Sequence, residues 1–278
     1  MGSSQAWKNR TAVICGGSAG LGKALALRLA QEAANLVIIG RDSGRLKEVQ
    51  EQALKLGACS VCSLSVDARK LVDGLPESET LRDVLAVQGC DLLINAVGKS
   101  DRGFIEQLTQ EDLVSQFELN VLTSHAMTKF CWSALCQSRG VVVNIASLAG
   151  IVPGPGMGGY SMAKHALVGL HRQWRLESQS SGVHFLLVAP GPIARDDSAD
   201  RYAELVKARQ LDPTSQNPGG GVSLHRIDPV ELSRQILRAA QERKSELIVP
   251  GKVRMLAMLM AIWPSLADKI IRKKMKRS

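Results

Sequence analysis

Short apolar runs alternate along this chain with longer segments whose apolar residues recur at helical spacing, and that alternation restricts the fold more than any other feature. Thr11–Cys15, Leu36–Ile39, Cys59–Val66, Asp91–Asn95, Val141–Ala146, Val183–Ala189 and Leu247–Val249 read as strands. Leu21–Ala34, Ser43–Leu56 and Gly159–Ser178 read as helices. Thr109 and Asp112 stand at capping-box spacing and open a long helix to about Cys136, while Asp228-Pro229 opens another to about Glu242. Strands that lead into helices do not pair as hairpins but return in the same direction. The expected fold is therefore α/β: one doubly wound parallel sheet of about seven strands with helices on both faces. No internal repeat or low-complexity linker interrupts the pattern. Residues 1–251 read as one domain, and residues 252–278 as a segment of different character.

With 278 residues, 45% of them hydrophobic and 22% charged, the chain can bury a sizeable core and is too apolar for disorder. Its longest purely apolar stretch, Met255–Trp263, falls well short of the about 20 residues that a membrane span needs. Met1–Arg10 lacks the apolar core of a secretory signal. Six cysteines in this length are no disulfide framework. Cys59 and Cys62 make one C-x-x-C inside a strand, with no second pair to complete a zinc site; they read as small hydrophobes rather than a redox or metal site. The five histidines show no metal-ligand spacing, so no metal is expected, and a reducing, cytoplasmic compartment fits. The net charge of +9 by itself admits a nucleic-acid face, a membrane face or an ordinary surface.

Cys15-Gly-Gly-Ser-Ala-Gly-Leu-Gly22 joins the first strand to the first helix, with Gly16, Gly20 and Gly22 spaced G-x-x-x-G-x-G. Missing side chains let the backbone turn tightly and approach a pyrophosphate. The helix N-terminus beyond offers unpaired N–H groups and the positive end of its dipole. Gly16, Ser18, Gly20, Leu21 and Gly22 are thus candidate cofactor contacts, the plain alternative being a Gly-rich turn. The second strand ends in Gly40-Arg41, without the acid that accepts from the ribose 2′-OH of NAD. Arg41 can pair with a 2′-phosphate bidentately, helped by Ser18 and Arg45, and NADP(H) is the expected cofactor; a solvated arginine at a helix start is the alternative. Asp67, ending the third strand, is placed to touch the adenine. Asn95 and Gly98, at the end of the fourth, are placed to pack against the adenosine half.

Tyr160-Ser-Met-Ala-Lys164 sets Tyr and Lys one turn apart on one helix face. Reducing a carbonyl needs a hydride at carbon and a proton at oxygen. A tyrosine with an ordinary pKa of about 10 relays protons poorly at neutral pH. A lysine ammonium beside it, with an oxidised nicotinamide close by, favours the phenolate, and Lys164 can also hold the nicotinamide ribose. Ser147 ends the fifth strand, where open α/β sheets bind ligands, and its hydroxyl can polarise a carbonyl. Asn120 is an unusual choice for a helix interior; its amide either holds a water linking Lys164 to solvent or is simply tolerated there. Pro190-Gly191 ends the sixth strand in a sharp turn suited to shaping the nicotinamide pocket.

Taken in order, the Gly16/Gly20/Gly22 motif, Asp67, Asn95-Ala-Val-Gly98, Asn120, Ser147, Tyr160, Lys164 and Pro190-Gly191 make the chain resemble a classical short-chain dehydrogenase/reductase over roughly Thr11 to Arg195. The resemblance implies a single Rossmann-type domain and a catalytic tetrad of Asn120, Ser147, Tyr160 and Lys164. It implies Ile193 beside the nicotinamide carboxamide, and a homodimer or homotetramer built through the helices after the fourth and fifth strands. Three positions depart from the family pattern. Cys15 replaces the usual Thr before the first glycine, Ala96 the second Asn of N-N-A-G, and Arg195 a Thr that often orients the nicotinamide. None removes a group needed for hydride or proton transfer.

Specificity in this family lies in about Ile193–Ile227. Here Asn217-Pro-Gly-Gly-Gly reads as the hinge of a mobile lid and Asp200–Arg209 as a solvated face of mixed charge. Ile151–Met157 reads as an apolar wall that favours a hydrophobic carbonyl substrate. Lys252–Ser278 carries eight basic residues against one acid, Asp268, and so seven of the nine net charges. Its apolar Met255–Trp263, then Pro264, then the basic cluster Arg272–Arg277 suit the interface of an anionic membrane. The alternatives are a helix against a neighbouring subunit and a solvated terminus. The segment loosely resembles those of relatives that reduce lipid-like ketones, such as 3-ketodihydrosphingosine reductases and steroid or retinoid enzymes, a resemblance that selects no substrate. The expectation is an NADP(H)-dependent oxidoreductase for a hydrophobic or lipid-like ketone and its secondary alcohol, cytoplasmic or peripheral on a membrane. A non-catalytic NADP-binding regulator on the same fold is the alternative, against which an intact tetrad argues. Nucleic acid is not an expected partner, because no aromatic platform accompanies the basic residues.

Overall fold

The computed structural model describes residues 6–71, 75–194, 206–207, 209–211 and 225–275. Seven parallel strands form one sheet: β1 (Thr11–Cys15), β2 (Asn35–Gly40), β3 (Ser60–Ser65), β4 (Leu92–Asn95), β5 (Val141–Ile145), β6 (His184–Pro190) and β7 (Glu246–Val249). Their order is β3-β2-β1-β4-β5-β6-β7, so the chain reverses its direction of travel between β1 and β4. Ligands of such sheets bind at that switch point, beyond the carboxyl ends of the strands. The α/β doubly wound architecture expected from the sequence is the one found.

Side-chain alternation along each strand feeds two cores. Ala12 and Ile14 of β1, Leu36 and Ile38 of β2 and Leu92 and Ile94 of β4 face one layer. There they meet Leu25 and Leu29 of α1 (Gly20–Ala30), Leu46 and Val49 of α2 (Ser43–Lys55) and Leu232 and Ile236 of Pro229–Gln241. Val13, Val37 and Leu93 face the opposite layer, with Leu81 and Leu85 of α3 (Pro76–Gln88) and Met127 and Leu135 of the helices after β4. A strand buried on both faces reads as a continuous apolar run, which is why these strands stand out in the sequence.

The helical connections depart from the sequence reading in several places. The single long helix expected from Thr109 is α4 (Gln110–Phe117), a π-helical turn over Glu118–Leu122, then α5 (Thr123–Phe130) and α6 (Trp132–Ser138). Its capping box is formed as expected: the Asp112 N–H donates to Thr109 Oγ1 and the Thr109 N–H donates to Asp112 Oδ2, each at 3.2 Å. No element was expected between the third and fourth strands, where α3 begins with Pro76 at its first position. Cys59 lies just before β3 and is exposed, not a buried strand residue.

α7 (Gly158–Glu177) covers the sheet beside β5 and β6, and α8 (Pro229–Gln241) begins with Asp228 accepting from the Val230 N–H, as the Asp-Pro pair predicts. Beyond β7 the chain forms two helices, α9 (Val253–Ile262) and α10 (Pro264–Met275), packed on each other. Pro264 sets the break between them. No residue of α9 is fully buried, and no helix among the described residues is long and apolar enough to cross a membrane.

Candidate active site

Backbone meets backbone at the start of α1. Gly16 adopts φ +90°, and a Cβ on Gly22 would lie 2.1 Å from the Gly16 carbonyl oxygen, so only glycine lets the loop fold onto the helix here. No side chain caps α1 and no acid stands in its first turn, so the positive end of the helix faces outward beside the loop. Leu21 points into the core and can offer only its backbone to a ligand. Ser18 sits against Gly40, whose Cβ would approach the serine Oγ to 2.9 Å. Arg41, next in the chain, is exposed, while Arg45 is drawn back to Asp42 at 3.3 Å.

Two expected contacts sit differently from a simple reading. The Asp67 carboxylate is held by the Arg69 guanidinium and backbone N–H. Those bonds, with Arg41 close by, hold it below the usual carboxylate range. The Asn95 side chain turns inward: its amide donates to Asn144 Oδ1 at 2.9 Å and to Thr128 Oγ1 at 3.2 Å. It therefore fixes the end of β4, and any contact with a ligand falls to the backbone around it. Pro190 and Gly191 end β6, with the Gly191 N–H donating to the Val249 carbonyl at 2.7 Å. Ile193 bridges to Ile227 and packs against the core. Arg195 and the expected hinge at 217–221 lie outside the described residues.

The chemical groups converge beyond β4 and β5. Asn120 lies in the π turn and is completely buried. Its amide donates to the Gln116 carbonyl and Oε1, both at 3.1 Å, while Oδ1 has no partner among the described residues. A Cβ on Gly98 would lie 2.9 Å from that oxygen and 3.1 Å from Lys164 Nζ, so the glycine makes room for both groups. Lys164 donates to the Ile145 carbonyl at 2.9 Å, and its Nζ lies 5.8 Å from the centre of the Tyr160 ring. Ser147 Oγ accepts from the Ala149 N–H at 3.1 Å, and Ser161 Oγ donates to the Ala149 carbonyl at 2.8 Å. Serine, tyrosine, lysine and asparagine thus gather beyond the carboxyl ends of β4 and β5. The glycine loop leaves β1 at the same edge of the sheet, and these residues fit a nicotinamide dinucleotide.

Sheet order and glycine loop are those of the doubly wound class of dinucleotide-binding folds. A family model described as short chain dehydrogenase matches residues 10–204, and the chain belongs to that family. It is 30% identical over 200 residues to the 3-oxoacyl-(acyl-carrier-protein) reductase of Bos taurus, covering 72% of this chain and 82% of that protein. It is 26% identical over 270 residues to Hydroxysteroid 11-beta-dehydrogenase 1-like protein B of Xenopus laevis, covering 96% of this chain and 87% of that one. Among solved structures, the alcohol dehydrogenase of Thermococcus sibiricus complexed with 5-hydroxy-NADP shares the fold, with a TM-score of 0.69 at 22% identity over 86% of this chain and 95% of its own.

One residue read as a solvated charge is no such thing. Arg209 closes ion pairs with Asp101 and Asp112, and its side chain is only 16% exposed.

Burial pulls Lys164 from its ordinary 10.5 down to about 7 in the cofactor-free protein. Between those pH values the unfolded chain binds more protons than the folded one, so stability rises as pH climbs from about 7 and levels off above 10.5. Urea denaturation of the cofactor-free protein across that window should show the rise, and Lys164→Met should flatten it. Equal slopes in the two proteins would exclude the lysine as its source.

Proposed function

We propose that this chain is an NADP(H)-dependent oxidoreductase that interconverts a hydrophobic carbonyl compound and its secondary alcohol. The convergence of Asn120 Oδ1 and Lys164 Nζ on Gly98, with Tyr160 one turn from the lysine, carries the reading. Gly16, Ser18, Gly20, Gly22 and the backbone of Leu21 hold the pyrophosphate side, and Arg41 with Ser18 takes the 2′-phosphate. Asp67 and the backbone about Asn95 and Gly98 border the adenosine. Pro190, Gly191 and Ile193 border the nicotinamide. The archaeal dehydrogenase with bound 5-hydroxy-NADP supports the choice of cofactor.

The nicotinamide, when bound, supplies or accepts the hydride. Tyr160 gives its phenolic proton to the substrate oxygen in reduction and takes it back in oxidation. Ser147 Oγ accepts from the Ala149 N–H, which leaves its own O–H to donate to that oxygen. Lys164 in its ammonium form favours the phenolate of Tyr160 and reaches the ribose hydroxyls. Asn120 Oδ1 accepts from a water that carries protons to and from the lysine. Ile151 and Met157 line the substrate side with apolar surface. The acyl and steroid substrates named for two relatives are hydrophobic in the same way.

Two variants test this chemistry. Tyr160→Phe should lower NADPH-linked turnover of methyl nonyl ketone by about a thousandfold or more while NADPH affinity stays within about twofold. Undiminished turnover would overturn the assignment. Arg41→Asp should weaken NADPH about tenfold or more and leave NADH nearly unchanged; unaltered selectivity would remove Arg41 from the 2′-phosphate site.

Residues 252–278 act as a separate segment that seats the protein on an anionic, cytoplasm-facing membrane. Met255, Met258 and Ile262 recur on one side of α9 and are 76%, 64% and 80% exposed, with Trp263 at the corner. Val114, Phe117 and Leu122, exposed along α4 and the π turn, support pairing of two copies there. Phosphatidylserine vesicles should sediment the wild-type chain and release it in high salt. Met258→Asp with Ile262→Asp should abolish co-sedimentation, and full binding by that double variant would refute the membrane reading.

A further inference from the structure

The described residues that follow β6 are tied to a loop about a hundred positions earlier in the chain. Arg209 Nη1 donates to both oxygens of Asp101, at 2.9 and 3.0 Å, and to the Arg102 carbonyl. Its Nη2 donates to Asp112 Oδ1 at 3.1 Å, and its own carbonyl accepts from Gln107 Nε2 at 3.3 Å. Asp101 is nearly buried and also accepts from the Arg102 N–H at 2.8 Å. Val206 and Leu211 pack on each other beside the arginine, and the Leu211 N–H donates to the Val206 carbonyl at 2.9 Å. A planar fork that serves two carboxylates and a carbonyl at once is a task for arginine; a lysine offers one point charge.

The other side of the same loop touches the start of α7. The Gly103 N–H donates to the Gly156 carbonyl at 2.9 Å, and the Gly158 N–H donates to the Gly103 carbonyl at 3.2 Å. Leu108 packs so close to Gly158 that a Cβ there would lie 2.9 Å from the leucine methyl. Tyr160 is two residues further on. A continuous physical link therefore runs from Arg209, through Asp101 and Gly103, to the backbone that carries the tyrosine.

We propose that Arg209 is a positioning residue for the substrate side of the site: it fixes the turn of Val206, Arg209 and Leu211 against the loop that buttresses α7, and so sets the room in front of Tyr160. Arg209 touches neither cofactor nor reacting atoms and acts through Asp101, Asp112 and the Gly103–Gly158 bridge. The consequence for catalysis rests on the carbonyl reading given above; the mechanical link does not.

Steady-state kinetics with methyl nonyl ketone, NADPH titration and amide hydrogen exchange on the full-length protein test it together. Arg209→Ala should raise KM for the ketone about tenfold, with a smaller change in kcat and NADPH affinity within about twofold. Arg209→Lys should recover part of the loss. Exchange at Gly103 and Gly158 should quicken in Arg209→Ala while the strands stay protected. Asp112→Asn weakens the more exposed pair and also the capping bond from the Thr109 N–H, and should raise KM about threefold with only a small fall in Tm. It decides the matter if Arg209→Ala fails to fold. A wild-type KM in either variant, unaltered exchange, or a parallel loss of NADPH affinity would overturn the proposal. A wild-type protein that binds NADPH yet reduces no carbonyl would sink the functional reading instead, and the exchange data would still judge the link.

Discussion

The bond from Lys164 Nζ to the Ile145 carbonyl decides how the site is assembled. A buried amino group, charged or neutral, must find an acceptor for its N–H. The end of β5 supplies that acceptor and so dictates where α7 lies along the sheet. With Lys164 over the strand end, Tyr160 sits one turn earlier on the same face of α7. Ala149 locks the remaining coordinate: its N–H donates to Ser147 and its carbonyl accepts from Ser161, the neighbour of Tyr160. Ser147 and the start of α7 that carries the tyrosine are thereby held relative to one another through one residue. Such preorganisation is what lets fixed dipoles act on a reacting oxygen at little reorganisation cost.

Behind the site a buried polar chain sets the register of the elements that carry it. Asn95 of β4 and Asn144 of β5 are direct partners in the sheet, and the amide of the first donates to the second. Asn95 also reaches the Ser124 carbonyl and Thr128 on α5, and Asn144 donates to His171 on α7. Burial, reinforced by neighbouring arginines, pulls His171 down to about 3, so the ring is neutral and its Nδ1 accepts. One network therefore ties β4, β5, α5 and α7, the elements next to Gly98, Ser147, Asn120 and Tyr160. A slip of one residue in the pairing would break all of these bonds at once, whereas the apolar side chains of the same strands tolerate a close alternative. Polar groups in this core specify which arrangement forms, while the Val, Ile and Leu around them supply the gain from burial.

What the sequence revealed follows from how local each feature is. The strands were legible because both faces are buried, and the glycine loop because its geometry forbids side chains. Tyr160 and Lys164 were legible because a helix turns a spacing of four into adjacency. The unbroken helix from Thr109 was an error of the same local kind, since nothing but Asn120 hints at the π turn. α3 carries proper signals in Pro76, Glu77 and Glu79, but its buried leucines, Leu81 and Leu85, are too few to stand out. Asn95 and Arg209 could not be read at all. The inward turn of the first depends on Asn144, and the burial of the second on Asp101 and Asp112, partners far off in sequence. An arginine among mixed charges looks solvated until the fold brings carboxylates to it.

Charge is divided in this chain as sharply as chemistry. Residues 1–251 are nearly neutral at +2, while the last 27 residues hold the rest. A second copy of the same segment on the exposed apolar side of α9 would bring two strongly basic clusters together. Anionic lipid would meet the apolar side chains and the cations with one surface. The hairpin is also no detached tail: Val253, its first helical residue, packs against the cluster of Leu148, Ala189 and Ile248, as Ile151 does. Leu148 follows Ser147, and Ile151 is part of the stretch read as an apolar substrate wall. On the proposed reading, the segment that would rest on a bilayer starts beside the surface against which a hydrophobic carbonyl would lie, and location and substrate choice would draw on one apolar surface.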